Sequence, residues 1–138
     1  MDMKAYSDIR IGFVGVSHWH APIYASSMKR LGIPICGACD HDATAREHFA
    51  QKYNCPSYSS MDELLDNARP DFVFAFGMHI EMTHIAEHLV NRHIPFVMEK
   101  PMGVDWRALA LVVRQARAKG LFAGVDLVMR TLPLIRYL

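Results

Sequence analysis

No stretch of this sequence is long and apolar enough to span a bilayer, and its first ten residues, MDMKAYSDIR, lack the uninterrupted apolar core of an export signal. The expected location is therefore the cytoplasm, with no membrane partner. Charge of one sign is also lacking: 15 Lys and Arg stand against 14 Asp and Glu, for a formal net charge of +1. Without a basic block there is no electrostatic footprint for nucleic acid. Cysteine is scarce and odd in number, three in 138 residues, which argues against a disulfide framework. Cys36 and Cys39 spell C-x-x-C inside the strand-like IPICGACD, where positions three apart point to opposite faces. A shared metal or disulfide is thus disfavoured, and both read as small buried hydrophobes.

Glycine is missing where a dinucleotide fingerprint would want it. The run IRIGFVGVSHWH, residues 9–20, reads as a strand buried on both faces that breaks into a turn, followed by Ala21, Tyr24, Met28 and Leu31 at helical spacing from about Trp19. Against G-x-G-x-x-G the turn offers Gly15, Ser17 and His20, so only the first glycine is kept. Ser17 is small enough to let backbone approach a pyrophosphate, and its hydroxyl can donate to one. His20, where helix and strand should pack together, would hold the helix further from the sheet. Free N–H groups at such a helix start are expected to converge on a phosphate, which makes Gly15, Ser17, His18, Trp19 and His20 candidate cofactor contacts.

What the chain does have is a globular composition, 51% hydrophobic and 21% charged, and length for one domain with a real core. A second strand, 33–39, ends in Asp40, 25 positions after Gly15. That is near the spacing at which a carboxylate accepts from the adenosine ribose hydroxyls, an arrangement that favours NAD and repels the 2′-phosphate of NADP. Asp40 or Asp42 would equally serve as the cap of the next helix, along which Ala45, Phe49 and Tyr53 form a stripe. Residues 55–58 read as a short third strand, and Ser60 to Glu63 as a capping box opening a helix that Pro70 ends. DFVFAFG, 71–77, is a fourth strand whose Gly77-Met78-His79 turn should face the same crevice as the first. The next helix, about 81–91, contains His84-Ile85-Ala86-Glu87-His88, an H-x-x-E-H pattern of inverted zinc peptidases. Embedded in strand-helix repeats, it reads as a solvated face, and no metal site is expected. A fifth strand, 95–98, runs into Glu99-Lys100-Pro101-Met102-Gly103, Asp105 caps a long helix stopped at Gly120, and 121–129 reads as a sixth strand.

Six strands alternating with helices give an α/β doubly wound parallel sheet. With IGFVGVSHWH, the Cys39-Asp40 pair, the Gly77-Met78-His79 turn and PFVMEKPMG in that order, residues 8–133 resemble the N-terminal cofactor domain of the Gfo/Idh/MocA oxidoreductases. The resemblance implies hydride transfer between NAD(P) and a sugar, cyclitol or related polyol. It implies that Lys100 hydrogen-bonds the reacting hydroxyl and assists its proton transfer, and that Glu99 and Pro101 hold the nicotinamide-ribose end. Gly77, Met78 and His79 stand where many members carry Thr-Pro-Asn beside the nicotinamide. The resemblance further implies a homo-oligomer and a following substrate domain, so residues 1–130 are expected to form the dinucleotide domain and 131–138 the connection to it. A second reading is a dinucleotide-binding or sensing module without turnover.

Overall fold

The computed structural model describes residues 8–127. Its elements alternate without exception: β1 (Ile11–Val14), α1 (Ala21–Leu31), β2 (Ile35–Cys39), α2 (Ala43–Tyr53), β3 (Ser57–Tyr58), α3 (Met61–Ala68), β4 (Phe72–Ala75), α4 (Met82–Asn91), β5 (Phe96–Glu99), α5 (Trp106–Ala118) and β6 (Ala123–Asp126). All pairings are parallel, and the strand order is β3-β2-β1-β4-β5-β6. The chain walks outward from β1 to β3, then returns past it to β4. At that reversal the turns after β1 and β4 lead to helices on opposite faces, and a crevice opens between them.

Apolar continuity explains why these strands are central. All four residues of β1 are buried, because helices cover both sheet faces. On one face Phe13, Ala21, Ala25, Phe49 and Phe76 pack between the sheet and α1 and α2. On the other, Leu64, Val73, Ile85, Leu89, Met98 and Val112 join the sheet to α3, α4 and α5. The starts of α2, α3 and α5 are fixed by side chains. Asp42 accepts from Thr44 N–H at 2.8 Å and Asp105 from Arg107 N–H at 2.8 Å. Ser60 accepts from Glu63 N–H at 3.2 Å while Glu63 reaches back to Ser59 N–H at 2.9 Å, so the box closes one residue earlier than the usual reciprocal pair.

Several boundaries differ from the sequence reading. α1 starts at Ala21 and not near Trp19, because residues 18–20 are spent in the turn. β2 starts at Ile35, after Pro34, which has no N–H to give the ladder although its carbonyl accepts from Ile11 N–H at 3.1 Å. β3 is only Ser57–Tyr58 and β6 only Ala123–Asp126; positions 128–129 of the expected sixth strand, and the expected connection 131–138, lie outside the described residues. The register between β1 and β2 shifts at Ile11/Gly12, which skips Cys36. Cys36 and Cys39 consequently pack against the same core cluster and not on opposite faces, although neither is in a disulfide. No helix among the described residues is long and apolar enough to cross a membrane.

Leu89 of α4 is fully buried, whereas Leu111 of α5 is 54% exposed. Leu89→Ala should therefore cost about 2–5 kcal/mol in urea unfolding, and Leu111→Ala about 0.5 kcal/mol or less. Equal losses would contradict the placement of the core.

Candidate functional site

The crevice is built first at Gly15. Its N–H donates to the Cys39 carbonyl at 2.9 Å, and the Phe76 N–H donates to the Val14 carbonyl at 2.8 Å, so the ends of β2, β1 and β4 are stitched side by side. Gly15 has φ +76°, and a Cβ there would sit 2.3 Å from the Phe76 carbonyl oxygen. Only glycine fits.

The Asp40 carboxylate then closes the first turn. One oxygen accepts from Ser17 N–H at 2.7 Å and the other from Asp42 N–H at 2.8 Å. Of the two acids weighed as caps, Asp42 is the cap of α2 and Asp40 faces the crevice. Four more turn donors are engaged: His18 N–H with the Gly15 carbonyl, His20 N–H with His18 Nδ1, Ala21 N–H with the His18 carbonyl and Ile23 N–H with the His20 carbonyl. Pro22 has no N–H to offer. The expected fan of free helix-start donors is thus mostly consumed within the turn. An anion arriving here must exchange with one of these bonds, or draw on the dipole of an 11-residue helix with no acid in its first turn.

A cavity of about 1010 Å³ lies over these turns, lined by Gly15, Ser17, His18, Asp40, Gly77, Met78 and His79 among others. Seven predicted residues therefore surround one space. The other five, Trp19, His20, Glu99, Lys100 and Pro101, lie outside that lining. His18 links the two groups. Burial lowers its pKa, the charge of Glu99 opposes this, and His20, Lys100 and His79 are close enough to reinforce it.

At the β5 end, His20 turns across to Glu99, with Nδ1 to Oε2 at 2.6 Å and side-chain exposures of 13% and 3%. The second Glu99 oxygen accepts from Lys100 N–H at 3.0 Å. His20 is therefore not an inert bulky substitute for the missing glycine. One turn further along α1, burial and a hydrogen bond to Asp126 push the Tyr24 phenol up. Glu99 and Asp126 are register partners on β5 and β6. Helix α1 thus reaches two adjacent carboxylates through residues four apart. The sequence reading missed Tyr24 and Asp126; the signal was the polar tip of an aromatic residue in a core stripe.

Other residues found only in the structure are Ser60, Glu81 and His84 on the cavity wall. The H-x-x-E-H histidines diverge: His84 faces the cavity, while His88 Nε2 lies 2.9 Å from Asp62 Oδ1 of α3. Among the described residues this pattern assembles no ligand set.

The family model described as oxidoreductase family, NAD-binding Rossmann fold (Gfo/Idh/MocA), matches residues 9–127. The chain belongs to this family. It is an NAD-binding Rossmann domain by that membership, and the family's solved structures share its fold. The WlbA dehydrogenase from Chromobacterium violaceum, solved with NADH and UDP-GlcNAcA, superposes with a TM-score of 0.89 at 17% identity, over 98% of this chain and 39% of that one. For UDP-N-acetylglucosamine 3-dehydrogenase GnnA from Acidithiobacillus ferrooxidans the values are 0.84, 22%, 94% and 40%. Myo-inositol 2-dehydrogenase from Lactobacillus plantarum gives 0.85, 16%, 94% and 39%. The chain thus spans about two-fifths of these relatives. No curated protein matches it.

Two outcomes follow from the local geometry. Gly15→Ala should lower stability by at least about 1–3 kcal/mol in chemical denaturation, since strain and a backbone clash coincide. Cys39 lines the cavity, yet burial, with the Asp40 charge adding to it, pushes its thiol up from 9.0 to about 12. Only the thiolate alkylates, so at pH 8 native Cys39 should react with iodoacetamide about a thousandfold more slowly than in the unfolded chain, as peptide mapping would measure.

Proposed function

We propose that this chain is the nucleotide-binding part of a dehydrogenase that transfers hydride between NAD, in preference to NADP, and a carbon of a sugar, cyclitol or related polyol. The observation that carries the reading is the convergence of Gly15, Asp40 and the Gly77 to His79 turn on one cavity, with Glu99 and Lys100 at the neighbouring strand end. The residues fit a dinucleotide. Gly15 brings bare backbone to the cavity floor where any Cβ would collide, and the volume of about 1010 Å³ is at the upper end for small-molecule sites.

Asp40 is positioned at the ribose end. Its two oxygens each accept one backbone N–H, and a carboxylate has lone pairs left for hydroxyls. The same charge repels a 2′-phosphate. Ser17, His18, Trp19 and His20 border the pyrophosphate, and Gly77, Met78 and His79 with Glu99 and Pro101 border the nicotinamide end. When bound, NAD supplies the hydride acceptor. Lys100 is exposed at the strand end, with its backbone N–H held by Glu99. There its amine, in the neutral form, can hold the substrate hydroxyl and take its proton as the C–H bond gives up hydride. Relatives acting on a nucleotide sugar and on inositol support the substrate class. We read the complete enzyme as cytoplasmic and self-associating, in keeping with three free thiols.

Titration with NADH and NADPH, followed by tryptophan quenching at the 73% exposed Trp19, tests the reading. NADH should bind saturably and more tightly than NADPH. Asp40→Ala should weaken NADH by about 10- to 100-fold and narrow the gap to NADPH. Lys100→Ala should leave NADH affinity within a few fold. Failure of both nucleotides to bind would overturn the proposal.

A further inference from the structure

Among the described residues, one group of three potential metal ligands comes together: His18, His20 and Glu99, whose ligand atoms all lie within 4.8 Å of one another. Two come from the β1–α1 turn, two positions apart. The third arrives from the end of β5, 79 positions beyond His20. Tertiary folding alone makes the cluster.

Its protein environment is that of a supported ligand set. The Glu99 side chain is 3% exposed, and Lys100 N–H holds its Oε1 at 3.0 Å, the oxygen that His20 does not touch, which fixes the carboxylate. A carboxylate so buried needs a compensating positive charge. His20, at 2.6 Å, supplies one only while protonated. A divalent cation supplies it with both imidazoles neutral.

We propose that His18, His20 and Glu99 bind a divalent transition metal, zinc by the chemistry of the donors. Two imidazoles and one carboxylate suit zinc, whereas magnesium and calcium favour all-oxygen shells. Three protein ligands leave a fourth position open, toward the part-exposed faces of His18 and His20. Binding requires a small adjustment: ligands about 2.1 Å from a tetrahedral zinc stand roughly 3.4 Å apart, so the His20–Glu99 contact must lengthen from 2.6 Å. His18 must exchange its hydrogen bond with His20 N–H, or a ring proton, for the ion. This site is distinct from the H-x-x-E-H pattern on α4; it draws on residues that also border the proposed dinucleotide, but its test needs no nucleotide.

The test is calorimetric titration of the chelator-stripped full chain with Zn²⁺, alongside Co²⁺ absorption. One Zn²⁺ should bind per chain with proton release, and Co²⁺ should give the intense visible bands of four-coordinate geometry. His18→Ala, His20→Ala and Glu99→Gln should each lower affinity by about 10- to 100-fold or more. His48→Ala, on the exposed face of α2, should change nothing. Circular dichroism checks that each variant is folded, and the part-exposed turn position His18 keeps the test decisive should Glu99→Gln unfold. Absence of uptake, uptake unaltered in the folded ligand variants, or uptake lost in His48→Ala would overturn the proposal and leave the 2.6 Å contact a hydrogen bond.

Discussion

At Gly15 the backbones of three strand ends run so close that no side chain can stand between them. A Cβ would lie 2.3 Å from the Phe76 carbonyl oxygen, while hydrogen bonds tie Gly15 to Cys39 and Phe76 to Val14. Those contacts place the turns after β1, β2 and β4 around one crevice. They also set the height at which α1 leaves the sheet. If this passage widened, Asp40 would lose Ser17 and the cavity would lose its floor.

The missing fingerprint glycines have different consequences. Ser17 costs little, because what the turn uses there is the backbone N–H, which Asp40 holds at 2.7 Å. His20 changes the site. Its ring crosses to a buried glutamate at the end of β5, so a position that normally only permits close packing becomes a polar strut between α1 and the strand carrying Lys100. One turn along, the Tyr24 phenol is near enough to Asp126 to be pushed up by it. The His20–Glu99 contact therefore ties down α1 at an end where the helix has no side-chain cap of its own.

Charge and hydrogen bonding are unevenly divided across the cleft. On the Asp40 side, acids are satisfied by backbone donors. On the Lys100 side, His18, His20 and the Lys100 backbone N–H gather at one buried glutamate. The first arrangement suits hydroxyls of a ribose; the second brings together imidazole and carboxylate groups able to hold a metal. Their common neighbour is His18, which makes the first turn the joint between the two halves of the site.

The sequence by itself determined the alternation of strands and helices, the capping acids, and the strand ends that carry Gly15, Asp40, Gly77 and Glu99. These depend on periodicity and on residues within a few positions of one another, which local sterics and capping chemistry dictate. Tertiary structure alone decided the rest. The skip at Cys36 depends on how β2 registers against β1, so its side chain could not be assigned by counting from Cys39. The engagement of Ser17 N–H depends on Asp40 arriving from the end of β2. The meeting of His20 with Glu99 joins residues 79 positions apart. Neither residue's neighbours in sequence carry that information; the crossover that places β5 two strands from β1 does.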